Sequence, residues 1–163
     1  MEKLWAPWRA KYAKSKKTKG CIFCLKPKSK SGNKEYIVTK GRYVFSMLNI
    51  YPYNNGHIMV APYRHIQDLD GLDKEEALEL MEMINKSINL LKAVLKPSAF
   101  NIGINIGSIA GAGYAEHLHV HIVPRWQGDT NFMPIIAKTK VVPEALDELY
   151  KRLKDTQKKH CDK

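Results

Sequence analysis

The stretch His117-Leu118-His119-Val120-His121-Ile122-Val123-Pro124-Arg125-Trp126 decides the reading of this chain. Histidine alternates with large apolar residues, the period of two that marks a strand. The pattern predicts that His117, His119 and His121 leave one face of a sheet, while Leu118, Val120 and Ile122 enter the core on the other. Same-face neighbours sit roughly 6.6 Å apart along a strand, so His119 is expected to have an imidazole close on each side. Three of the chain's six histidines share this stripe. One buried histidine is ordinary core material. Three on one face each bring two ring nitrogens that need partners, a demand that packing alone does not create.

Working outward, Phe100-Asn101-Ile102-Gly103-Ile104-Asn105-Ile106-Gly107 alternates as well. Its isoleucines face one way. Asn101, Gly103, Asn105 and Gly107 face the other and offer a small, polar surface to a ligand. A Gly- and Ala-rich loop at 107–113 joins this strand to the histidine strand, as in an antiparallel hairpin. Upstream, Asp73 and Glu76 form a capping box. Ala77, Leu80, Met81, Ile84, Ile88, Leu91 and Leu95 follow as a helical stripe, which Pro97 ends. Residues 36–39 and 43–48 read as a hairpin around Gly41, and 57–61 as the next strand, entered by the Asn54-Asn55-Gly56 turn and ended by Pro62. Residues 26–33 read as a loop. Pro143 opens a last helix with Ala145, Leu146, Leu149, Tyr150 and Leu153 on one side. The expected fold is α+β: a single antiparallel sheet of about five strands, with a long helix and a C-terminal helix against one face.

The 163 residues suit one domain. It divides into a basic, Trp-containing arm at 1–20, a core at 21–126 and a C-terminal extension with its helix at 127–163. No apolar run is long enough to span a membrane. The first residues lack the apolar segment of a secretory signal, so a cytoplasmic protein is expected. Lys plus Arg number 27 against 16 for Asp plus Glu, a net charge of +11. Such a field attracts polyanions, although a lysine-rich solvated surface accounts for it equally well. Trp5 and Trp8 are large enough that the arm is expected to pack on the body or on a partner subunit.

Cys21-Ile22-Phe23-Cys24 places two thiols on a tight turn, the first half of a zinc site. No second Cys-x-x-Cys follows, so the remaining ligands would come from histidine. A redox pair and two reduced, buried cysteines are the other readings of the motif. His160-Cys161 lies in a lysine-rich tail and is expected to be unstructured. Asp68 and Asp70 read as a cap or a solvated loop, and no carboxylate pattern suits a two-metal phosphatase. Magnesium is therefore expected only as a counter-ion of a substrate.

With these residues in view, the chain resembles the histidine triad superfamily. His117, His119 and His121 followed by Ile122 and Val123 match its signature. Asn49, Gly56-His57-Ile58-Met59-Val60 and Pro62-Tyr63-Arg64-His65 match its other landmarks. Leu4-Trp5-Ala6-Pro7-Trp8-Arg9 and residues 125–132 look like the prokaryotic branch that holds diadenosine tetraphosphate phosphorylase- and hydrolase-like proteins.

The resemblance implies a nucleotide substrate, commonly a homodimer, and His119 as the nucleophile that takes a nucleotide onto its ring nitrogen. It implies that His121 contacts the phosphate and that His57 orients the triad from behind. Asn49 and Asn105 would hold ribose or phosphate, and the amides of Gly111, Ala112 and Gly113 would approach the phosphates. Zinc-carrying relatives imply a structural Zn2+ on Cys21, Cys24, His65 and His117. Where many relatives carry Ser or Thr before the triad, this chain has Tyr114, which is expected to pack against the sheet. The implied activity is cleavage of dinucleoside polyphosphates at the α-phosphate, with phosphate or water as acceptor. A nucleoside phosphoramidase is a rival within the class. A non-catalytic zinc-bearing module for nucleotides or RNA is a rival outside it, and no RNA-recognition aromatic motif supports it. A third alternative has the triad itself as the metal ligands.

Overall fold

The structure is a computed structural model that describes residues 20–29, 35–129 and 144–161. Within them, five strands form one antiparallel sheet: β1 (Ile37–Lys40), β2 (Val44–Leu48), β3 (Ile58–Pro62), β4 (Ala99–Ile104) and β5 (Val120–Arg125). Their order across the sheet is β1-β2-β3-β5-β4, so the histidine-bearing strand lies between β3 and the edge strand β4. The helices are α1 (Ile22–Leu25), α2 (Lys74–Leu95) and α3 (Leu146–Cys161). The arm with Trp5 and Trp8, and Pro143, lie outside the described residues.

α2 and α3 cover one face of the sheet. There Val44, Leu48, Ile58, Val60, Val120 and Ile122 meet Leu80, Met83, Ile84, Leu90 and Leu91 of α2 and Leu149, Tyr150 and Leu153 of α3. Each such side chain, fully buried, contributes about 1.5–3 kcal/mol. The opposite face is also closed. Phe45, Met47, Met59 and Ala61 pack there with Ile37 and Phe23. For this reason β2 and β3 are buried at every position rather than at every second one.

The start of α2 is tied to one end of the sheet, where the segment after β3 adjoins the β1–β2 turn. Asp73 and Glu76 form the expected capping box. Glu76 is buried, and its carboxylate takes both arms of the Arg64 guanidinium at 2.7 and 2.6 Å. One turn on, the Glu79 carboxylate accepts the backbone amides of Arg42 and Val44 at 2.7 and 3.1 Å, pinning the β1–β2 turn. At the far end Lys96 adopts the left-handed conformation, with φ 48°, just before Pro97.

Several expectations are corrected. The buried stripe of α2 runs through Glu76, Leu80, Met83, Ile84, Ser87, Leu90 and Leu91, while Met81 is exposed. Two polar residues belong to the true stripe, so hydropathy alone rotated it. β4 ends at Ile104, which leaves Asn105 and Ile106 in the following loop. Ile102 pairs with Ile122 yet is 50% exposed, because β4 is an edge strand. Lys26–Lys28 forms a 3-10 turn containing Pro27. α3 extends to Cys161, so the backbone at His160-Cys161 is helical.

Candidate active site and metal centre

The hydrogen-bonded part of the histidine strand begins at Val120, not at His117. β3 ends at Pro62, and beyond it only one bond continues the pairing, from the Leu118 amide to the Ile66 carbonyl at 2.7 Å. The alternation nevertheless persists. Leu118 and Val120 are buried, and the three imidazoles occupy the Phe23 side of the sheet. His121 sits opposite Met59 of β3 and Gly103 of β4. A Cβ at Gly103 would meet nothing within 4 Å, so the space beside His121 is open on that side.

Backbone groups assign the tautomers. The Tyr53 amide donates to His57 Nδ1 at 3.1 Å. That nitrogen is an acceptor, so in the neutral ring the proton lies on Nε2. His57 Nε2–H then donates to His121 Nδ1 at 2.9 Å. By the same logic His121 carries its proton on Nε2. His119 Nδ1–H donates to the His117 carbonyl at 2.7 Å, which leaves Nε2 as its unprotonated nitrogen. Burial lowers the pKa of His119 against the opposing pull of that bond, so the ring is neutral near pH 7.

His117 has turned its other edge outward from the triad. Its Nε2–H donates to the Pro62 carbonyl at 3.0 Å, leaving the Nδ1 lone pair facing Cys21 Sγ at 3.2 Å and Cys24 Sγ at 3.6 Å. His65 Nδ1 lies 3.2 Å from His117 Nδ1 and 3.4 Å from Cys24 Sγ. All four donor atoms lie within 4.8 Å of one another. A tetrahedral ion with ordinary zinc bond lengths needs N–N and S–N edges of about 3.3–3.6 Å. The donor set fits such an ion in chemistry and in spacing. Without one, burial, chiefly, and the adjoining Cys21 push the Cys24 thiol up. His117 is pushed down to about 4 by burial, with His65 and His119 adding to the effect against the Pro62 bond.

The structure thus brings His57, His119 and His121 into one cluster, and Cys21, Cys24, His65 and His117 into another that shares the triad strand. Asn49 joins the first. Its amide nitrogen lies 3.3 Å from His57 Nδ1, and its Oδ1 accepts the Tyr51 amide at 2.9 Å. Asn105, Gly111, Ala112 and Gly113 occupy the half-buried loop leading into the triad, and Gly111 takes φ 92°. Tyr114 stands edge-on to Phe23, with ring centroids 6.0 Å apart, against the apolar cluster of that face.

Four residues that matter here were given no part in the site from sequence. Phe23 stacks on His119, and the Tyr53 ring lies 4.6 Å from that of His57. Asn54 donates to the Pro124 carbonyl at 3.1 Å and to Asp129 at 2.8 Å. Asp129 also takes Arg125 in a two-point pair at 2.6 and 2.8 Å. Together the last two lock the 49–57 loop to the end of β5. An aromatic inside Cys-x-x-Cys and an Arg-Asp pair four apart were the available signals.

A family model described as HIT domain matches residues 30–128. The chain is 41% identical over 155 residues to an AP-4-A phosphorylase of Mycobacterium tuberculosis, covering 90% of this chain and 79% of that one. Among solved structures, a hypothetical histidine triad nucleotide-binding protein from Sulfolobus tokodaii superposes with a TM-score of 0.65 at 28% identity, covering 87% of this chain and 92% of that chain. A Zn-bound histidine triad family protein from Mycobacterium smegmatis shares the fold at a TM-score of 0.63 and 22% identity, covering 78% and 86%. The matched sequence and the five-stranded sheet agree: the chain belongs to the HIT family.

Proposed function

We propose that the chain cleaves dinucleoside polyphosphates, diadenosine tetraphosphate foremost, at the α-phosphate through a nucleotidyl-histidine on His119. The observation that carries this reading is the 2.7 Å bond from His119 Nδ1–H to the His117 carbonyl. It fixes the tautomer whose Nε2 lone pair is a nucleophile at neutral pH. The 41% identity to an AP-4-A phosphorylase supports the substrate class.

His119 Nε2 attacks the α-phosphorus, an N–P bond forms, and the P–O bond to the rest of the polyphosphate breaks. With diadenosine tetraphosphate the leaving group is ATP. His121, protonated on Nε2 through the His57 relay, donates a hydrogen bond to the phosphoryl oxygens as charge develops. Phosphate then resolves the intermediate to ADP, or water to AMP. The net charge of +11 favours approach of the polyanionic substrate.

Cys21, Cys24, His65 and His117 would hold zinc, the ion suited to mixed thiolate and imidazole donors. With four protein ligands it supplies folding energy, not an open coordination site. Magnesium enters only with the substrate. The working form is a homodimer joined through edge strand β4. Nucleotide chemistry and reduced thiols suit the cytoplasm. Among the described residues no helix is long and apolar enough to cross a membrane.

The test is one incubation with diadenosine tetraphosphate, with and without phosphate, followed by product identification. ADP plus ATP only with phosphate identifies a phosphorylase; AMP plus ATP without it, a hydrolase. His119→Ala should abolish both, and near-normal turnover in that variant would refute the mechanism.

A further inference from the structure

We propose that Phe23 is a positioning residue for His119, holding the plane of the nucleophile's ring from within the metal-binding turn. The inference rests on the functional reading above. Phe23 is the residue between the two cysteines that points inward, and it is 1% exposed. Its ring stacks on that of His119, with centroids 4.7 Å apart and an interplanar angle of 28°. It also lies 5.1 Å from the ring of His117 at 34°.

The stacking supplies what the hydrogen bond cannot. The bond from His119 Nδ1–H to the His117 carbonyl fixes where one edge of the imidazole points. It does not fix the tilt of the ring about that line. A flat aromatic face against one side removes the tilt and leaves the Nε2 edge aimed in a single direction. Near-attack geometry depends on such alignment. An aliphatic side chain of similar volume would fill the same space without defining a plane.

Phe23 is itself held at both ends. Its neighbours Cys21 and Cys24 place their sulfurs 3.2 and 3.6 Å from His117 Nδ1, and its ring is embedded among Ile37, Phe45, Met47, Met59 and Ala61. Two of the four donors that would bind the metal, Cys21 and Cys24, and the plate that orients the nucleophile thus share one four-residue turn. A metal held there would bear on the reaction through Phe23, and through the His117 carbonyl that accepts from His119 Nδ1, without touching the substrate.

The test compares Phe23→Leu, which keeps apolar bulk without the flat face, with Phe23→Tyr, which keeps the face. Both are measured as the metal-loaded protein. In Phe23→Leu, kcat for diadenosine tetraphosphate should fall about 10- to 100-fold, while KM changes less than about threefold and bound zinc is retained. Phe23→Tyr should restore kcat. By NMR, the ring protons of His119, assigned by their disappearance in His119→Ala, should lie upfield in wild type under the Phe23 face. They should move downfield in Phe23→Leu, while those of His57 and His121 stay. Wild-type kcat in Phe23→Leu, or a loss of kcat with the His119 resonances unmoved, would overturn the proposal. If Phe23→Leu does not fold, wild type decides: unshifted His119 ring protons refute the stacking, and a downfield move on chelating the metal supports the coupling. A wild type with no turnover refutes the functional reading instead, and the ring shifts still judge the contact.

Discussion

His57 Nε2 lies 2.9 Å from His121 Nδ1, and behind it the Tyr53 amide donates to His57 Nδ1 at 3.1 Å. A backbone N–H can only donate, so it dictates the protonation of two successive imidazoles and leaves the His121 proton on Nε2, the nitrogen that donates to the phosphoryl oxygens in the proposed mechanism. Replacing His57 by Ala removes the relay and leaves the Tyr53 amide without its acceptor. We expect kcat to fall about 10- to 100-fold, with His119 still able to take up labelled adenylate in acid-quenched samples. Unchanged kcat would show that His121 is oriented by other means.

The four-donor cluster makes a compositional prediction. Wild-type protein should carry about one zinc per chain, and Cys21→Ala should carry almost none by elemental analysis. Its thermal midpoint should match that of the chelated wild type. Full retention of metal would move the binding site to the triad itself.

Gly56 adopts φ +75°, and a Cβ there would come within 2.5 Å of Leu95 Cδ1 and 3.1 Å of Leu91 Cδ2 on α2. Gly56→Ala combines left-handed strain with overpacking, so it should cost about 1–3 kcal/mol in denaturant melts. It should also displace His57, its neighbour. A loss below about 0.5 kcal/mol would mean that α2 yields easily.

The Arg64 guanidinium hydrogen-bonded to Glu76 holds that carboxyl below the usual glutamate range, against the effect of burial. A carboxylate whose folded pKa is depressed stabilises the fold above its unfolded pKa, and the contribution is lost as pH falls through the folded value. Thermal midpoints should therefore decline from near the ordinary glutamate pKa downward. Glu76→Gln should be less stable at pH 7 and flatter across that acidic window. An equally steep decline in the variant would assign the acid sensitivity to other groups.

Ile102 is 50% exposed on edge strand β4, where a second copy of the sheet could join. Ile102→Glu should weaken dimerisation at least about tenfold, through a charge placed in an apolar contact. Sedimentation over a concentration series reads this directly, and a monomeric wild type would dispose of the dimer.

Much of the sheet was legible from residue order, and the family resemblance named the partners in both clusters. Alternation around His117, His119 and His121 placed them on one face because strand geometry has a period of two. Asp73 with Glu76 marked the start of α2 because capping is local. Legibility failed where a residue's role depends on a neighbour distant in the chain. Met81 matched the hydrophobic period but is exposed, since the buried stripe includes Ser87 and Glu76, whose burial depends on what packs over them.

The sequence by itself determined the strand period, the helix start and which residue types could serve as nucleophile and metal donors, all properties of short-range geometry and side-chain chemistry. Only the tertiary structure decided the proton placements on His57, His119 and His121, the close approach of Cys21, Cys24, His65 and His117, and the stacking of Phe23 on His119. Those depend on which backbone carbonyls, amides and rings from remote segments come within hydrogen-bond or van der Waals distance, and that is set by the packing of the whole sheet.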